Sequence, residues 1–180
     1  DKQHVTDFGR ISSFDSVLAR VETECGIVGY GEARPAAGSA GAGIALKVLI
    51  EQELGPLIVG MDARQISRLW DVMYNGSRAH FAIDRGHVFP ILGRRGLTVC
   101  GISGIDIALW DILGKSLGVP VHQLLGGKRH DRMPAYASGG WAPADRIAEE
   151  LQRFLDIGNF KAVKMRVGSA DGVEDGQAII

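Results

Sequence analysis

Ile102-Ser-Gly-Ile-Asp-Ile-Ala-Leu-Trp-Asp-Ile-Leu-Gly-Lys-Ser-Leu-Gly-Val-Pro-Val-His-Gln-Leu-Leu-Gly-Gly127 decides the fold. Ile102, Ile105, Leu109, Ile112 and Leu113 recur at helical spacing, while Ile107, Ala108 and Trp110 widen the apolar surface. A helix apolar over most of its girth belongs in a core, and the pattern predicts one from about Val99 to Leu117. Gly118-Val-Pro120 terminates it, and a second short apolar turn follows. The character of the chain changes near Gly126-Gly-Lys-Arg-His130, so a domain boundary falls between 127 and 128.

Upstream, Val17, Ala19, Val21 and Thr23 alternate with Leu18, Arg20, Glu22 and Glu24. Cys25-Gly26 turns the chain, and Ile27 to Glu32 returns as the second arm of a hairpin. Asp7 to Ser13 is polar and turn-rich and reads as a loop, as does the small-residue segment Ala36 to Gly43. Ile44 to Leu54 predicts a helix stopped by Gly55-Pro56. The next helix starts with Asp62 as cap and Gln65 reaching back to it. Ile66, Leu69, Trp70 and Met73 share its inner face, and Gly76 ends it. Residues 77–96 are less regular.

Downstream, Met133 to Ser138 reads as a strand and Pro143 to Ile157 as a helix ended by Gly158. The inner stripe of that helix is Ile147, Leu151, Phe154 and Leu155. Phe160 to Val167 is a second strand, and Gly172 to Ile180 begins another helix. Strand, helix, strand, helix is the β/α repeat of a parallel barrel or a doubly wound sheet.

Composition narrows the function. Hydrophobic residues make up 46% and charged residues 23%, the balance of a soluble globular protein. A net charge of -1 gives no basic face for nucleic acid and no polybasic membrane anchor. No apolar stretch reads as long enough to span a bilayer, and no signal peptide is visible, so a cytoplasmic location is expected. Cys25 and Cys100 are expected to be reduced, mostly buried thiols. Gly38 to Gly43 lacks the order of a nucleotide-binding loop.

Four segments together carry a family resemblance. Val21-Glu-Thr-Glu-Cys-Gly-Ile-Val-Gly-Tyr-Gly-Glu32 looks like a capping-domain hairpin. Asp106-Ile-Ala-Leu-Trp-Asp-Ile-Leu-Gly-Lys115, with Gly118-Val-Pro and Leu124-Leu-Gly-Gly127, looks like that domain's long helix and exit. Tyr136 to Ser138 matches a first barrel strand, and Lys164-Met165-Arg166 matches the Lys-x-Lys end of a second. In this order and spacing they resemble the mandelate racemase/muconate lactonizing branch of the enolase superfamily. The resemblance implies an α+β capping domain, residues 1–127, followed by the first β/α units of a modified TIM barrel, residues 128–180.

The resemblance also implies a reaction. Members bind Mg²⁺ through acidic residues on the third to fifth barrel strands and remove the proton α to a carboxylate. Those ligands are expected beyond Ile180, none in this segment. The chain reads as the front half of a longer enzyme, without metal binding or turnover of its own. Lys164 is the implied polariser of the substrate carboxylate. Arg166 stands where many relatives have a second Lys, and a guanidinium that keeps its proton at neutral pH is a poor base. That favours dehydration of a sugar acid over a racemase, epimerase or cycloisomerase. From another class, a non-catalytic capping fragment is the rival. Phe8, Arg10 and Ser138 are the implied substrate contacts, and a symmetric homo-oligomer is expected.

Asp106 and Asp111 are five apart on the helix and do not share a face. Pairing with Lys115 or with helix-end groups explains them better than catalysis. His80 and His87 lack metal-ligand partners at useful spacing. Trp70, Trp110 and Trp141 read as core or interface aromatics.

Overall fold

The computed structural model describes residues 4–6, 9–11, 15–35, 40–83, 85, 95–139, 142–143 and 145–165. The chain divides into two units, Asp1–Gly127 and Lys128–Ile180.

In the first unit, β1 (His4–Thr6) pairs antiparallel with β2 (Gly9–Ile11), His4 opposite Ile11. The segment expected as a loop from Asp7 to Ser13 is therefore part strand. Its local polarity says loop, but pairing with His4–Thr6 satisfies its backbone. β3 (Val17–Glu22) and β4 (Val28–Ala33) form the expected hairpin, Val17 opposite Ala33 and Glu22 opposite Val28. Gly26, with φ +83°, makes the turn. Cys25 beside it is exposed rather than buried, its Sγ 3.2 Å from Thr23 Oγ1; Cys100 is partly buried, and both are free.

α1 (Ala40–Leu49) runs on through a π-helical turn, Ile50–Leu54, into α2 (Gly55–Ile58). Ala40 to Gly43 are thus helical, and Gly55-Pro56 does not stop the chain. Pro56 falls at the start of α2, within its first turn. The wide turn is closed by Gly55 N–H donating to Ile50 O. It delivers Leu54, fully buried, onto Gly101 of the long helix.

α3 (Ile66–Ile83) follows. Asp62 accepts from the Arg64 amide at 3.0 Å, and Gln65 Oε1 accepts from Arg68 at 3.0 Å, so the expected reciprocal capping pair does not form. Arg68 competes successfully for the Gln65 side chain. Ile66, Leu69 and Met73 are buried as expected. Trp70 is 38% exposed and stacks on Tyr74 at 4.6 Å between ring centres. Gly76, with φ 69°, interrupts the helix, which resumes through Ile83 where the sequence looks irregular.

α4 (Leu97–Leu117) is the centre of the unit. It buries Ile102, Ile105, Ala108, Leu109 and Ile112 against the hairpin and α3, while Ile107 is exposed. By length and composition it could cross a membrane, against the expectation of no such segment. Its buried stripe is that of a core helix. Gly118 takes the left-handed conformation and closes α4, and α5 (Val121–Leu124) is the short second turn.

In the second unit, β5 (Ala137–Ser138) lies parallel to β6 (Val163–Lys164), joined through α6 (Ile147–Gly158). Both strands are shorter than the expected spans. Asn159, with φ 48°, takes the left-handed position after α6. Gly158 instead gives room to the Phe160 ring, which a Cβ there would strike. Two strands make a β-α-β unit, and the described residues contain no closed barrel. The helix expected from Gly172 lies outside the described residues, as do His87 and Trp141; the His80 side chain does too.

Candidate functional site

The parallel pair of the second unit sets the geometry of the site. Ala137 N–H donates to Ala162 O at 3.1 Å, and Gly139 N–H donates to Lys164 O at 3.0 Å. The register puts Ala137 beside Val163 and Ser138 beside Lys164. Side chains alternate across a sheet, so each neighbouring pair shares a face. Ala137 is buried and Val163 half-buried. A Cβ at Gly139, on the Ala137 side, would collide with the Phe154 ring of α6. The Ala137 face therefore meets the helix, and Ser138 and Lys164 share the opposite face. Both are exposed, at the carboxyl ends of their strands.

In a β/α barrel the face away from the helices is the interior, and carboxyl strand ends form the reactive mouth. An ammonium and a hydroxyl set side by side there can receive an anion and hydrogen-bond it. They are not a cage for a hard divalent cation, which needs carboxylate or carbonyl oxygens. Among the described residues no three His, Cys, Asp or Glu side chains converge to hold a metal.

Of the residues expected from sequence, Ser138 and Lys164 are brought together. Phe8 and Arg166 lie outside the described residues. Arg10 is placed by its backbone alone, in β2 opposite Val5.

The first unit carries a second polar cluster, where α4 ends against the hairpin. Asp111 Oδ2 lies 2.6 Å from Lys115 Nζ and accepts the Tyr30 amide at 3.0 Å. Lys115 also donates to Val28 O at 2.8 Å and sits over the Tyr30 ring, 5.5 Å from its centre. The ammonium first, and the Tyr30 amide second, hold the Asp111 carboxyl below its ordinary range. Asp106 differs: partial burial pushes its carboxyl up, opposed by a hydrogen bond from Trp110. Trp110 as its partner is not the expected Lys115 or helix end. An open cleft of about 270 Å³ lies beside the ion pair, lined also by Gly114, Gly118 and Val119 to Val121. Sequence spacing announces Asp111 and Lys115 as partners; the backbone groups of Val28 and Tyr30 carry no such signal.

The family model for the N-terminal domain of mandelate racemase / muconate lactonizing enzyme matches residues 2–126. The chain belongs to that family, within the enolase superfamily. Among curated relatives of this mandelate racemase/muconate lactonizing enzyme family member, arabinonate dehydratase of Saccharolobus solfataricus is 35% identical over 163 residues, 88% of this chain and 39% of that protein. D-galactarolactone cycloisomerase of Agrobacterium fabrum is 33% identical over 172 residues, 91% of this chain and 39% of that protein. A crystal structure of a racemase from Streptomyces coelicolor A3(2) with bound magnesium superposes with a TM-score of 0.76 at 31% identity, covering 96% of this chain and 44% of that one. The chain spans about two fifths of the length of these relatives.

Proposed function

We propose that the full-length protein is an Mg²⁺-dependent enzyme that removes the proton α to a carboxylate, and that its net reaction is dehydration of a sugar acid. The observation that carries this reading is the Ser138–Lys164 pair on the helix-free face of two parallel strands. A hydrogen beside an ionised carboxylate is a weak acid, because its loss leaves two negative charges on one small group. A fixed ammonium offsets that charge most strongly as it grows, which lowers the barrier more than it strengthens ground-state binding. Lys164 has this role, and the Ser138 hydroxyl orients the anion beside it. Arg166 is assigned a two-pronged grip on a carboxylate rather than proton removal. Phe8 and Arg10 are assigned to the substrate's far end.

Magnesium would add a divalent charge at the same carboxylate. The described residues do not suit it, so its ligands are placed outside them, and no step here runs through it. The dehydratases among the relatives support elimination of water. The cycloisomerase and the racemase support the second reading, isomerisation. A panel of sugar acids offered to the full-length protein with Mg²⁺ separates them. Dehydration yields a 2-keto product, whereas isomerisation exchanges the α-hydrogen with solvent and yields none. Lys164→Met is expected to lower kcat by about 10²–10³-fold with the fold intact. Parent-like turnover in that variant would remove Lys164 from the mechanism.

A further inference from the structure

Among the described residues, the β4 edge is closed by side chains and not by another strand. In an antiparallel pair, backbone groups point alternately to the partner and away from it. Thr23 N–H donates to Ile27 O across the hairpin, so that pair is bonded. Counting along the register, Glu22–Val28 and Arg20–Tyr30 are the non-bonded pairs. The Val28 carbonyl and the Tyr30 amide therefore face outward, spaced as a new strand would require. Lys115 Nζ takes the carbonyl and Asp111 Oδ2 takes the amide. A donor and an acceptor, bonded to each other at 2.6 Å, thus take the places of the amide and the carbonyl that two alternate residues of an added antiparallel strand would present.

We propose that the Asp111–Lys115 ion pair is an edge plug that keeps β4 of one copy of this chain from pairing with β4 of a second copy. Like-with-like antiparallel pairing is the association to expect, because the same outward carbonyl and amide on both copies satisfy each other about a two-fold axis. Exposed Tyr30, 52% accessible, would add an aromatic contact at that junction. Solvent water can also hydrogen-bond these exposed edge groups, so the plug matters for partner exclusion more than for the fold's own stability. This inference does not depend on the proposed reaction.

The test uses the full-length protein and Asp111→Ala/Lys115→Ala. At the lowest concentration the Tyr30 amide is expected to exchange about tenfold faster than in the parent, having lost a charge-assisted hydrogen bond. As concentration rises, light scattering should show assemblies larger than the parent's. Adding Tyr30→Pro removes the outward N–H at an edge position that tolerates proline, and should restore the parent mass. A folded double variant that keeps the parent mass at every concentration overturns the proposal. So does assembly that Tyr30→Pro leaves unchanged. If the double variant does not fold, Lys115→Met, which keeps the aliphatic stem, is judged by the same two criteria.

Discussion

Single side chains differ here in how their charge depends on the fold. Arg64 holds the Asp62 carboxyl down to about 2 from its usual 3.8. A lowered carboxyl contributes stability above the unfolded value, and the contribution is lost as pH falls through the folded one. The Asp62 contribution should thus be full above 3.8 and gone below about 2. Asp62 is exposed, so the effect is small, and Asp62→Asn should flatten the acid limb of Tm against pH only slightly. Asp111 follows the same sign, lowered by Lys115 and by the Tyr30 amide. Asp111→Asn should therefore cost stability at neutral pH and converge on the parent in acid, read from paired melts. Leu109 is 1% exposed at the heart of the core. Leu109→Ala should cost about 2–5 kcal/mol in denaturant unfolding, because the surrounding helices collapse only partly into the space.

Between elements, the contact to watch is the one where β4 rests on α4. A Cβ at Gly29 would strike the Ala108 carbonyl, and one at Gly31 the Gly104 carbonyl. Gly31→Ala should cost about 1–3 kcal/mol by forcing helix and hairpin apart, while Gly41→Ala, in open space, should be neutral or stabilising. Denaturant midpoints of the two variants give the comparison. α4 and the hairpin were legible in the sequence because their signals are local: a period of 3.6 from Ile102 to Ile112, a period of two from Val17 to Val21. Gly9–Ile11 was not, since its strand identity depends on pairing with His4–Thr6. Nor was the wide turn at Ile50–Leu54, where burial of Leu54 against Gly101 outweighs the stop signal of Gly55-Pro56. Lys164 was legible through its motif. The neighbour it acquires, Ser138, follows from a parallel register that only the fold supplies.

For the whole molecule, the reaction proposed above makes metal dependence a test of the full-length protein. A chelator should abolish turnover of a sugar acid reversibly while the circular dichroism spectrum stays unchanged. Mg²⁺ at about 100 times its Kd should add about 2.7 kcal/mol to stability, read as a higher Tm. Temperature offers a separate view of the first unit. At Gly29 and Gly31, where glycine backbone rests on helix backbone, little hydrocarbon is withdrawn from water, so that part of the seam owes more to short-range dispersion and less to solvent entropy. Ile66, Leu69 and Met73 hold α3 through buried hydrocarbon. Hydrocarbon attraction fades on chilling. Near freezing, α3 should therefore detach first, leaving the hairpin seated on its helix as a cold-resistant kernel.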